Sequence, residues 1–137
     1  RRLLDAKCPE EAIELMRTPL TGYWASRFTF GGASERTFET MSRGSATVLV
    51  INVAIPLMIA YGMSHGDDAL TGRAFEWLAS LPAESNSIVS TFAAAGIPAR
   101  DAFTSQALIQ LRREYCEKHA CLLCRIGHRL LAARAKR

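Results

Sequence analysis

Ser45-Ala46-Thr47-Val48-Leu49-Val50-Ile51-Asn52-Val53-Ala54-Ile55-Pro56-Leu57-Met58-Ile59-Ala60-Tyr61 decides the fold of this chain. Its apolar residues do not alternate with polar ones as in a half-buried strand. They fill every face of a helix, the pattern of a central helix packed all round. A membrane span needs about 20 apolar residues. This run carries Asn52 and Pro56 besides, so it reads as core, with no membrane partner. Pro56 has no amide hydrogen and its ring crowds the carbonyl one turn back, which predicts a kink and a freed carbonyl near Asn52. Asn52 then reads as a core hydrogen-bonding residue rather than a catalytic one.

Working outward, helix follows helix. Pro9-Glu10-Glu11 opens one that runs to Arg17, with Cys8 at its N-cap and Thr18-Pro19 ending it. Leu20 to Phe30 is aromatic, either a short helix or an extended segment, and Gly31-Gly32 closes it. Residues 33–44 read as loop. Asp67-Asp68 lead a helix through Ala74, Trp77 and Leu78 to Pro82, and Glu84 or Ser85 starts another that Gly96 caps. Asp101 or Thr104 begins the next, where Leu108, Leu111 and Tyr115 recur at helical spacing, and a last helix covers about Leu123 to Arg134. No run alternates like a strand. The fold predicted is all-α, one domain over residues 1–137, with six or seven helices around the Pro-kinked one.

A chain of 137 residues that is 49% hydrophobic buries one core without disulfides. Its four cysteines lack the spread of a secreted scaffold and suit a reducing cytoplasm. The opening Arg1-Arg2-Leu3-Leu4-Asp5, with no methionine and no signal-peptide pattern, reads as the start of an excised domain.

Three of the cysteines fall within nine residues, Cys116-Glu117-Lys118-His119-Ala120-Cys121-Leu122-Leu123-Cys124. The C-x4-C-x2-C spacing sets one cysteine at a helix end, one in a connector and one at the next helix start. Thiolates gathered there would repel unless a cation took their charge, so the run points to zinc or an iron–sulfur cluster. His128 lies four residues after Cys124 on the same helix face and would complete a Cys3His zinc site. Cys8, or a residue from a missing part of the protein, is the other candidate for fourth ligand. Three unlinked core thiols are the plain alternative. His65 and His119 read as solvated.

The net charge of +4 is unevenly spread. Eight of the 17 Lys/Arg lie beyond residue 110, against only Glu114 and Glu117, so the whole basic excess surrounds the cysteine run. Arg112, Arg113, Lys118, Arg125 and Arg129 are the candidate phosphate contacts. No nucleophile elbow and no phosphate-binding glycine loop occurs, so no catalysis is expected within this chain.

The segments Gly22-Tyr23-Trp24-Ala25-Ser26-Arg27-Phe28-Thr29-Phe30-Gly31, Val50 to Leu57 with Ala60-Tyr61-Gly62, and Ser105 to Leu111 with Tyr115-Cys116 and Cys121 to Gly127 resemble the C-terminal part of the domain-of-unknown-function family 2851. That resemblance implies a bacterial cytoplasmic protein of several hundred residues, of which this chain is the last third or less. It implies Cys116, Cys121 and Cys124 as motif residues, but neither Cys8 nor His128. It also implies a missing N-terminal part, a partner in the same protein, with a Gly-Asp-x-Glu-Ile-His signature reminiscent of carboxylate nucleases. The family has no established activity.

Two functions follow as expectations. One is an accessory helical domain, stapled by a metal or cluster, in a protein acting on nucleic acid. The alternative is a structural or protein-interaction module with no catalytic or nucleic-acid role. A thiol redox switch is a thinner third.

Overall fold

The structure is a computed structural model that describes residues 2–27 and 29–134. All its regular elements are helical: α1 (Arg2–Asp5), α2 (Pro9–Met16), α3 (Arg43–Leu49), α4 (Ile55–His65), α5 (Asp68–Ser80), α6 (Ser87–Ala94), α7 (Ala102–Leu111) and α8 (Arg125–Arg134). A 3₁₀ turn covers Gly22–Ser26, and π turns cover Val50–Ala54 and Arg112–Cys116. The protein is all-α, as expected. Its chain divides into two compact units, Arg1–Leu78 and Ala79–Arg137.

In the first unit α3, the π turn and α4 form one rod, Arg43–His65. Ser42 caps its start by accepting from the Ser45 amide at 3.0 Å. Gly66, at φ 66°, ends it in the left-handed region where a glycine costs least. The π turn answers Pro56. Without an amide hydrogen, and with a ring that crowds the carbonyl four residues back, proline cannot sit in a regular turn, and a wider turn relieves the clash. The Ile55 amide accordingly bonds the Val50 carbonyl, five residues back.

Burial of the rod differs from the all-round packing that its sequence suggested. Val50, Ala54, Ile55 and Met58 are at most 1% exposed, and Ala12 and Ile13 of α2 are as deeply buried. Each large side chain so placed contributes about 1.5–3 kcal/mol. Val48, Val53, Leu57 and Tyr61 are instead 41–52% exposed. Asn52 is exposed too, and its Nδ2 donates to the Val48 carbonyl at 3.0 Å, within the rod. At 23 residues the rod is long and apolar enough to cross a membrane by length and composition alone.

Beyond the rod, Asp67 caps α5 by accepting from the Leu70 amide at 2.9 Å. Gly62 lets the α4–α5 corner close: a Cβ there would lie 2.4 Å from Thr71 Oγ1 and 2.9 Å from the Asp67 carbonyl. Arg73 ties α1 down through a 2.6 Å bond to the Leu4 carbonyl. The segment between α2 and α3 is closed at its neck by the Pro19–Thr40 bridge and a 2.8 Å bond from the Leu20 amide to the Glu39 carbonyl. Tyr23, Trp24 and Phe30 meet at its tip, with Arg27 4.5 Å above the Tyr23 ring.

In the second unit Leu81, Val89, Ala102, Leu108 and Ile109 form the core. Asn86, rather than Glu84 or Ser85, caps α6, because its side-chain oxygen accepts from the Val89 amide at 3.0 Å. Ser105 is fully buried and satisfied: its hydroxyl donates to the Ala102 carbonyl and accepts from the Glu84 amide.

Candidate functional site

The cysteine corner is built by the helix that leads into it. Asp101 caps α7, accepting from both the amide and the hydroxyl of Thr104 at 2.7 and 2.8 Å. Those two bonds hold the Asp101 carboxyl below its ordinary pKa, the amide bond first. After Leu111 the helix widens into the π turn, with the Glu117 amide bonded to the Arg112 carbonyl. In an α-helix residues five apart sit about 140° apart around the axis, too far to pair. The wider turn brings them onto one side, and Arg112 Nε reaches Glu117 Oε1 at 3.3 Å.

The helix then stops in a Schellman motif. The Ala120 amide bonds the Tyr115 carbonyl at 2.9 Å and the His119 amide bonds the Cys116 carbonyl at 3.2 Å. His119 takes the left-handed position, φ 52°, where glycine is the usual occupant. A turn follows, with the Leu123 and Cys124 amides bonded to the Ala120 carbonyl, and α8 begins when the His128 amide bonds the Cys124 carbonyl at 2.8 Å. Cys116 therefore ends one helix, Cys121 lies in the connector and Cys124 directly precedes the next.

The thiols differ in surroundings. Cys116 and Cys121 are exposed, and Cys124 is buried. All are reduced. Among the described residues, no three His, Cys, Asp or Glu side chains gather closely enough to hold a metal ion. His128 is exposed, one turn from Cys124, and the two line a shallow hollow of about 250 Å³ with Leu122, Leu123 and Arg125. Cys8 is half-buried at the α2 N-cap.

What does gather is backbone. A Cβ on Gly127 would lie 2.5 Å from the Cys121 carbonyl oxygen and 3.1 Å from its Cα, so the first turn of α8 is seated directly on Cys121. Sequence reasoning missed Gly127, although an isolated glycine inside a helical pattern is the usual mark of such an approach. It also missed Leu122 and Leu123, which stand 74% and 80% exposed at the tip of the corner.

The five basic candidates divide into two groups. Arg112 is held by Glu117, and Lys118 by the carboxylate of Glu114. Arg113, Arg125 and Arg129 are exposed, and their side chains have no hydrogen bond or ion pair among the described residues. These three carry the unbalanced charge of the corner.

Comparison with known proteins gives one likeness. The sequence model of the family described as "Protein of unknown function (DUF2851)" matches residues 1–87. The matched stretch takes in Cys8, the aromatic tip and the whole rod, and stops before Cys116, Cys121 and Cys124. No curated protein and no solved structure shows a significant match.

Proposed function

This chain belongs to the DUF2851 family of proteins of unknown function, and on that premise we propose that its second unit is an accessory helical module that contacts nucleic-acid phosphates, in a cytoplasmic protein whose chemistry lies outside this chain. The observation that carries the reading is the state of Arg113, Arg125 and Arg129, exposed around one rigid corner with no acidic partner among the described residues. Phosphate contacts by such side chains release counterions, so affinity falls as salt rises, by roughly 0.7–0.9 logarithmic units per contact for each tenfold rise. Binding of labelled DNA and RNA, followed by anisotropy across a salt series, tests it. Joint replacement of Arg113, Arg125 and Arg129 by Ala should remove most of the salt dependence. Replacing Arg112 and Lys118 should remove less, because their charges are already offset. Absence of binding at low salt, or equal binding by both variants, overturns the reading.

Its finer form places zinc or an iron–sulfur cluster on Cys116, Cys121 and Cys124, with His128 or a residue outside this chain as fourth ligand. The exposed side chains of Cys116 and Cys121 would have to turn towards Cys124. Support comes from the C-x4-C-x2-C spacing together with the backbone that the Schellman turn and Gly127 hold in place. Metal analysis of anaerobically purified protein decides it, since an empty corner with unchanged stability in Cys121→Ser removes the metal. The same reading keeps the rod off the membrane, on the strength of Asn52, Pro56 and the face packed against α2.

Leu122 and Leu123 favour a second reading, a protein-interaction module. Two adjacent leucines this exposed are what a partner protein would cover. Loss of a partner in Leu122→Ser/Leu123→Ser, with salt-dependent nucleic-acid binding absent, would put this reading first.

A further inference from the structure

A second concave feature lies wholly inside the second unit. It is a cleft of about 450 Å³ between α6 and the π turn that follows α7. That volume falls in the roughly 300–1,000 Å³ range of small-molecule sites. Ile88, Phe92 and Ala95, spaced four and three residues apart, form an apolar strip along α6, with Ser87 and Thr91 of the same helix beside it in the lining. Facing them in the lining are Arg112, Cys116 and Glu117. The strip and the charged group come from different elements, so the cleft sets apolar surface opposite charge.

The polar side owes its make-up to the π turn. With regular α geometry Arg112 and Glu117 would point about 140° apart, and the cleft would hold only one of them. In the widened turn they share it, yet their bond uses only Nε of the guanidinium. The two terminal nitrogens of Arg112 have no hydrogen bond or ion pair among the described residues. A guanidinium presents five donors in a planar fork, and its terminal pair matches the two oxygens of a carboxylate. Glu117 therefore orients the fork through one edge and leaves the other for a ligand. Cys116, one turn from Arg112, adds a soft, weakly polar surface between the charge and the apolar strip.

We propose that this cleft binds a small monocarboxylate with an apolar tail. The carboxylate takes the terminal nitrogens of Arg112, and the tail lies along Ile88, Phe92 and Ala95. Glu117 acts as a positioning residue and, by its own charge, as a brake on affinity. The site shares Cys116 with the cysteine corner and Arg112 with the basic candidates, but it needs no metal and none of Arg113, Arg125 or Arg129.

Amide chemical-shift titration of the whole chain with three probes of one chain length, sodium hexanoate, 1-hexanol and hexylammonium chloride, tests it. Hexanoate should give saturable shifts confined to residues 87–95 and 112–117. Arg112→Gln should weaken hexanoate at least tenfold, to the level at which hexanol binds the unaltered protein, and hexylammonium should not bind. Arg112→Lys keeps the charge and loses the fork, so it should fall between the two. Glu117→Gln should tighten hexanoate two- to threefold, which loss of a merely structural contact would not do. Equal binding of acid and alcohol overturns the proposal, as do shifts scattered over the second unit or an Arg112→Gln spectrum that is well dispersed and titrates like the unaltered protein.

Discussion

The protein contains two π turns, and they have different causes. The turn at Val50–Ala54 is separated from Pro56 only by Ile55, and its Val50, Ile51 and Ala54 are buried. A backbone defect in the sequence forces the wider turn, and the core closes over it. The turn at Arg112–Cys116 has no proline nearby and no buried residue. Nothing in its covalent structure requires the extra residue. It brings together the Arg112–Glu117 pair on one side and the entry to the Schellman stop on the other. A wide turn with a local cause is architecture, and one without is of the kind frequently found at functional sites.

Each turn can be attacked separately. The largest effect belongs to the first. Val50→Asp puts an unpaired charge at a position with no exposure and should cost about 3–5 kcal/mol in urea unfolding, leaving the first unit unfolded. A loss below about 1 kcal/mol would mean that this π turn is not sealed by core. Next comes the structure the second turn feeds. Gly127→Ala sets a methyl group against the Cys121 backbone and should cost about 1–3 kcal/mol, with faster amide exchange across residues 120–128. Unchanged exchange there would show that α8 is not seated on the connector.

Asp101 starts the helix that carries the second turn, and its effect is smaller and depends on pH. Its carboxyl titrates lower in the folded protein than in the unfolded chain, held down by the Thr104 amide and hydroxyl. Its contribution is therefore complete above the unfolded value, near 4, and is lost as pH falls through the lower folded value. Asp101→Ala should cost about 1 kcal/mol at pH 7. Asp101→Asn keeps the cap and should flatten this part of the acid limb in a urea–pH series. The smallest effect is a gain. His119→Gly relieves a left-handed residue and should stabilise the Schellman stop by about 0.5–1 kcal/mol. A loss on this change would show that the imidazole contributes more than the strain it carries.

The two regions were unequally legible from sequence. Helix ends with a side-chain or backbone reason could be read from the residues: Pro9 after Cys8, Gly96 after α6 and, of the two starts offered, Asp101 before α7. The core rod could be read as a helix but not oriented. Val48 and Val50 are the same residue type two positions apart, and only the position of α2 makes one exposed and the other buried. Neither π turn was foreseen as such. For the first, Pro56 signalled a disturbance without its form. For the second no signal exists, because patterns of three and four residues assume the α geometry that the turn abandons. At the corner, spacing correctly placed the three cysteines relative to the two helices. It counts residues along the chain and says nothing of side-chain direction, so the exposed Cys116 and the buried Cys124 were beyond it.

The positions of the tryptophans have a practical consequence. Both belong to the first unit, Trp24 at 41% exposure on the aromatic tip and Trp77 at 3% in the core. A soluble quencher such as acrylamide will reach the first and spare the second, so one emission band separates into a tip signal and a core signal. The second unit has no tryptophan, and its sole tyrosine is Tyr115, at the end of the second π turn. A fluorescence melt excited at the indole band will follow the first unit and be blind to the second, which only far-ultraviolet dichroism or Tyr115 emission from a Trp24→Phe/Trp77→Phe chain will report.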